Sequence, residues 1–164
     1  MLFINSPCPK KVNLKFVYSP YQEVKEVLNL LLHKSEYLDL RSVVWPTATK
    51  LLELAVNSNK YLGKIQTLWI NHSEEINKAF SGLGLKDLGF VTCFIHSISC
   101  EGWFNVSDNS IHVRTTNTGG DKELLNTIIH ELLHLSTFHK DLSYEEREKI
   151  VDEYLKREQF ARIL

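Results

Sequence analysis

Cysteine is scarce in this sequence and does not pair by spacing. Cys8, Cys93 and Cys100 are odd in number and form no C-x-x-C, which argues against a disulfide framework or a cysteine-built zinc knuckle. An excess of charge of either sign is also missing: 19 Lys and Arg against 20 Asp and Glu leave a formal net charge of −1. The electrostatic footprint of a nucleic-acid or anionic-membrane binder is therefore absent, and neither partner is expected. No apolar run approaches the length of a membrane span. The start, Met1-Leu2-Phe3-Ile4-Asn5-Ser6-Pro7, lacks the basic region and long apolar core of a signal peptide, so a cytoplasmic location is expected. Repeats, low-complexity tracts and flexible linkers are lacking too. The 164 residues read as one domain, 1–164, with enough apolar content for a core.

What is there changes character along the chain. Val12, Leu14, Phe16 and Tyr18 alternate as in a strand that ends at Ser19-Pro20. Val24, Val27, Leu28, Leu31 and Leu32 recur at helical spacing and predict a helix packed through that stripe. Pro46 predicts the start of another through Leu51, Leu52, Leu54 and Ala55, with further helical turns from Tyr61 to Phe80. Ser81-Gly82-Leu83-Gly84 and Asp87-Leu88-Gly89 then punctuate the chain. Three strand-like stretches follow, Val91 to Ile98, Gly102 to Val106 and Ile111 to Thr115, with Ser107-Asp108-Asn109 as a hairpin turn. A Gly119-Gly120 break and Asp121 as N-cap lead into a further helix. The expected class is α+β: a small mixed sheet of three to four strands, residues 1–89 mainly helical after a first strand, and residues 90–164 forming the core that carries the chemistry.

That chemistry centres on His130, Glu131 and His134, an H-E-x-x-H pattern inside the largely apolar Thr127-Ile128-Ile129-His130-Glu131-Leu132-Leu133-His134-Leu135. On a helix, residues i and i+4 lie about 40° apart and about 6 Å along the axis, so the two imidazoles share a face and suit one zinc ion. Glu131 lies about 100° round from His130, close enough to act on a water while staying outside the ligand set. Ionisable groups in so apolar a segment need a reason, because unpaired buried charge is expensive.

The segment resembles the active-site helix of the zincin metallopeptidases, which divide by their third metal ligand. Glu148 is the first candidate. Ser143 reads as an N-cap with Glu146 as its capping-box partner, and the helix they open carries Tyr144, Val151 and Leu155 on one stripe with Glu148 beside it. Glu148-Lys149-Ile150-Val151-Asp152 resembles the E-x-x-x-D of gluzincins, a likeness implying that Glu148 binds zinc and that Asp152 orients a ligating histidine. His139 is the second candidate. The related metzincins place a third His six residues after the second with a Gly between, whereas here Lys140 stands sixth and no Gly intervenes. Glu145 is the third.

The resemblance implies a zinc-dependent peptidase acting on a peptide or protein. Zinc acidifies water, Glu131 takes its proton and passes it to the leaving amine, and Tyr144 or His139 is the candidate donor to the oxyanion. The strand before the motif helix is expected to edge the cleft and pair with an extended peptide, with Ile111 and Val113 facing the core, His112 and Arg114 facing away, and Arg114 a candidate for a substrate carboxylate. Cys8, between Pro7 and Pro9, is a candidate latch on the open metal position. Two other readings stand beside this one. His130-x-x-x-His134-Leu135 also resembles the three-histidine zinc site of endoribonucleases that mature ribosomal RNA, but Glu131 and Lys140 occupy that family's Gly and third-His positions. A non-catalytic zinc or interaction module is the other, and it has no use for a general base at Glu131.

Overall fold

The computed structural model describes residues 12–38, 43–115 and 120–164; Cys8 and Gly119 lie outside them. Along the chain run β1 (Val12–Tyr18), α1 (Pro20–Leu32), α2 (Lys34–Tyr37), α3 (Ala48–Gly82), β2 (Gly89–His96), β3 (Gly102–Asn105), β4 (Ser110–Arg114), α4 (Gly120–Thr137), α5 (Tyr144–Leu155) and α6 (Glu158–Ala161). The expected α+β class with a small mixed sheet is what forms. Its order is β1-β2-β4-β3, with β1, β2 and β4 mutually parallel and β3 antiparallel to β4. No helix among the described residues is long and apolar enough to cross a membrane.

Strand order corrects one expectation. The strand before the motif helix, β4, is interior, and the short β3 forms the edge. All five residues of β4 are buried, as suits a strand paired on both sides, whereas the four residues of β3 are half-buried. The hairpin turn between them is held by Asn105, whose Oδ1 accepts from Ser107 N at 3.0 Å and Ser107 Oγ at 2.7 Å. Asn109, at φ 51, adopts the left-handed conformation that Asn tolerates, and its amide donates to Leu88 O and Phe90 O, fastening the hairpin to β2.

One face of the sheet carries Val91, Cys93, Ile95, Ile111 and Val113 into the core, where α3 and α4 cover it. α3 is a single helix of 35 residues, not the two segments that the sequence suggests, because Asn57-Ser58-Asn59 continue the helix without a break. Its N-cap is Thr47, whose hydroxyl accepts from Lys50 N, so Pro46 lies just outside. Leu54, Ile65, Trp69, Ile76 and Phe80 form its buried stripe. α6 closes the core with Phe160, fully buried edge-on to Phe80 at 5.5 Å. So short a helix draws its stability from that ring. A Phe160→Ala variant is expected to lose about 3–5 kcal/mol of stability, read as a lower midpoint in urea unfolding with an unchanged slope.

The opposite face of the sheet is polar, and it turns α1 inside out. The expected stripe faces solvent, with Val24, Leu28, Leu31 and Leu32 each more than half exposed, while Glu23, Glu26 and Leu30 are buried. The reason lies in what α1 covers. Glu23 accepts from His96 Nδ1 at 2.8 Å, Ser97 N at 3.0 Å and Ser97 Oγ at 2.5 Å, and Glu26 accepts from Ser99 Oγ at 2.5 Å. His96 Nε2 in turn lies 2.9 Å from His112 Nδ1. A sheet face with two imidazoles and two serines needs buried acceptors, and the glutamates of α1 supply them.

Candidate metal centre

α4 is apolar on almost every side, with Leu124, Leu125, Ile128, Ile129, Leu132, Leu133 and Leu135 all buried against the sheet and its neighbours. Such a helix is a rigid platform for the polar side chains it does carry. Asp121, expected as its N-cap, sits inside the first turn, where a carboxylate complements the helix dipole. After α4 the chain turns back, and α5 starts at the expected capping box: Ser143 Oγ accepts from Glu146 N at 3.2 Å and Glu146 Oε2 from Ser143 N at 2.8 Å. That start fixes the rotation of α5 and points Glu148 toward α4.

Three of the candidate ligands meet there. His130 Nε2 and His134 Nε2 lie 3.0 Å apart, with Glu148 Oε1 at 3.1 Å from the second and Oε2 at 3.4 Å from the first. One ligand atom from each falls within 4.8 Å of the others, and no other group of three His, Cys, Asp or Glu among the described residues converges in this way. Two imidazole nitrogens and a carboxylate sharing one small space suit a cation. Burial, partly offset by the charge of Glu148, lowers the His134 pKa to about 4, which favours the neutral ring that a metal would require. Glu131 is buried beside the cluster, and burial, then the charge of Glu148, raises its carboxyl to about 8.

The remaining candidates separate. Tyr144 reaches the site, hydrogen-bonding Glu148 one turn along α5 although much of its ring is exposed; burial and then Glu148 raise its phenol to about 12. His139 is not brought to the cluster; it is exposed, 3.6 Å from Asp141. Glu145 is exposed in the first turn of α5, and Asp152 is exposed with its backbone carbonyl accepting from Lys156 N. Neither meets the histidines. Arg114 lies on the polar side of the sheet, buried, and its guanidinium donates to Ser99 O at 2.7 Å, away from the cleft.

Asp152 does not reach His134, which lies instead against an aromatic stack. The buried His134 Nδ1 has no hydrogen-bond partner, and Phe104 of β3 lies flat on that imidazole at 4.9 Å with 9° between the planes. Phe138 meets Phe104 edge-on at 5.9 Å, and Arg147 lies 5.4 Å over Phe138 while donating to Leu142 O. The stack thereby ties the edge strand, the α4–α5 loop and the neighbour of Glu148 to one ligand ring.

Gly102 is the other residue that sequence reasoning passed over. A Cβ there would stand 2.7 Å from Thr127 Cγ2 and 2.8 Å from Glu131 Oε1, so the backbone of β3 touches the acid directly. A glycine opening a strand is the available signal for such close approach. Cys100, half-buried, donates to Gly102 O at 3.4 Å, and burial raises its thiol to about 11, which leaves it unreactive. Together these residues enclose a cavity of about 440 Å³, lined by β3, by Asn126, Thr127, His130, Glu131 and His134 of α4, and by Tyr144 and Glu148 of α5. The volume is that of a small-ligand or peptide side-chain site. No family model, curated protein or solved structure matches this chain.

Proposed function

We propose that this chain is a zinc-dependent peptidase of the zincin type, cutting extended peptides in the cleft between β3, α4 and α5. The observation that carries the reading is the convergence of His130, His134 and Glu148 with Glu131 buried beside them. Two imidazoles and a carboxylate make the donor set of one class of catalytic zinc, which leaves a position free. A bound divalent cation would supply Lewis acidity, polarising a carbonyl oxygen and acidifying water. A third ligand on a separate, later helix supports the gluzincin likeness, which ends at Glu148 because Asp152 faces solvent.

The protein's own groups then have distinct tasks. Glu131, buried beside the three candidate ligands, would take the proton from water and return it to the departing amine. Tyr144 orients Glu148 and is the phenol closest to hand for a developing oxyanion. β3 offers a free strand edge for the substrate backbone. Because β3 also presses on Glu131, a Gly102→Ala variant is expected to displace the carboxylate and lower kcat by about 10²-fold, with zinc content unchanged; single-turnover cleavage beside elemental analysis reads both.

The test compares an unstructured protein substrate with a structured RNA, each with and without chelator, and measures zinc in the wild type and in Glu148→Ala. Chelator-sensitive proteolysis and a Glu148→Ala protein depleted of zinc are expected. Cleavage of the RNA alone would transfer the site to the nuclease class, tight zinc binding with no cleavage would make it structural, and full zinc in Glu148→Ala would move the third ligand elsewhere.

A further inference from the structure

A second cavity, of about 200 Å³, opens between α1 and β3, on the polar face of the sheet and on the far side of β3 from the metal centre. That is room for one long side chain and well short of a drug-sized ligand. Building on the peptidase reading, we propose that this cavity is a specificity pocket for a basic side chain of the bound peptide, lysine or arginine, with the buried Glu26 carboxylate as its counter-charge and Trp103 as its wall.

The pleat of β3 leads a substrate there. Gly102 and Phe104 lie against Glu131 and His134 on the α4 face, whereas the ring of Trp103 stands on the other face, stacked on His112 of β4 at 4.6 Å with 12° between the planes. Arg114 N donates to Glu101 O, which sets the phase of the antiparallel ladder: Trp103 pairs inward with His112, while the backbone groups of Gly102 and Phe104 point off the sheet edge. A peptide strand added to those groups continues the alternation of faces. Its residue opposite Trp103 then stands beside the outer side of the indole, as His112 stands beside the inner, and faces the second cavity. Trp103 is only half-buried. An indole face is the best of the aromatic surfaces for an ammonium or a guanidinium.

The charge of the cavity comes from α1. Glu26 lines it and is only 8% exposed, and its Oε1 accepts from Ser99 Oγ at 2.5 Å. No lysine, arginine or histidine among the described residues forms an ion pair with it. Buried carboxylates are ordinarily paired, and what Glu26 borders instead is the cavity. Glu23, one turn earlier on α1, is a second buried carboxylate on the same face, held by His96 and Ser97. Arg114 donates to Ser99 O, and the carboxylates that act on it are Glu101 and Glu123. His112 is neutral, its pKa lowered to about 4 by burial and then by His96. Lys25 also borders the cavity, but it is exposed, about 100° round the helix from Glu26, and makes no ion pair among the described residues, so it does not neutralise that carboxylate. A basic side chain entering beside Trp103 meets an aromatic face first and a buried carboxylate behind it.

The experiment measures binding, so that it does not depend on turnover. Zinc-loaded Glu131→Gln protein is titrated with labelled decapeptides in which each position in turn carries Lys, Arg, Ala or Glu, and the series is repeated with Glu26→Gln or Lys25→Glu added. At one position Lys or Arg is expected to bind about tenfold tighter than Ala, and Glu more weakly than Ala. Glu26→Gln keeps an acceptor for the Ser99 hydroxyl and is expected to erase that preference. Lys25→Glu changes only an exposed side chain and is expected to enlarge it; movement at that position in either variant supports the pocket. A lack of such preference at every position, or one that both variants leave unmoved, would overturn the pocket assignment alone. Failure of every peptide to bind would overturn the peptidase reading, and the pocket with it.

Discussion

A Glu131→Gln variant is expected to lose about 10²–10⁴-fold in kcat while its zinc content and its unfolding midpoint hold. Gln keeps the size of the side chain and one carbonyl oxygen in a site where the residue is only 5% exposed. What it removes is the capacity to accept a proton. Loss of fold is not expected, and the sign of the pKa shift says why. Burial raises the carboxyl from 4.5 to about 8, so between those values the folded state holds a proton that the unfolded state has released, and Glu131 weakens the fold as pH rises through that window. In metal-free protein a neutral amide escapes this cost, so with zinc removed the variant should be at least as stable as the wild type at pH 7. Peptide turnover, elemental analysis and thermal unfolding on one preparation check the three parts. Wild-type kcat in a folded, zinc-replete variant would remove Glu131 from the chemistry.

The parts of the site that were legible in the sequence are those encoded by local spacing. His130 and His134 share a helix face because 3.6 residues make a turn, and Glu148 could be singled out because Ser143 and Glu146 announce where α5 begins. The hairpin from Gly102 to Arg114 was legible for the same reason, since its turn is written in Ser107-Asp108-Asn109. Groups positioned by tertiary contact were not. Phe104 stacks on a histidine 30 positions further along the chain, and no local pattern marks it. Asp152 fits the spacing of an orienting acid, yet α5 presents Glu148 and Tyr144 to the cleft and leaves Asp152 in water. Strand order was likewise beyond local reading: β4 lies between β2 and β3, so the strand that continues to the motif helix is interior and the one before it carries the free edge.

α1 is where pattern and structure part most widely, and it yields an expected effect on stability as large as that of Phe160→Ala. Apolar spacing at Val24, Leu28 and Leu31 predicts a buried stripe, but the helix is oriented by Glu23, which carries three hydrogen bonds from His96 and Ser97. Burial by itself would raise the Glu23 pKa; the bonds from His96 and Ser97 outweigh it and hold the carboxyl below its ordinary value. Replacing Glu23 by Ala would remove the acceptor of three hydrogen bonds in a covered face, and is expected to cost about 3–5 kcal/mol. The same face makes the protein sensitive to acid. His112 has its pKa brought from 6.5 to about 4, so the stability it contributes is complete above pH 6.5 and is lost, by up to about 3 kcal/mol, as the pH falls through that interval. Glu23, lowered from 4.5, adds a further loss below that value. Urea midpoints measured from pH 8 to pH 4 should therefore be flat down to about pH 6.5 and then fall, with the Glu23→Ala curve displaced downward at every pH. If that variant unfolded within about 1 kcal/mol of the wild type, the buried carboxylate would not be what turns α1 inside out, and the exposed leucines would need another cause.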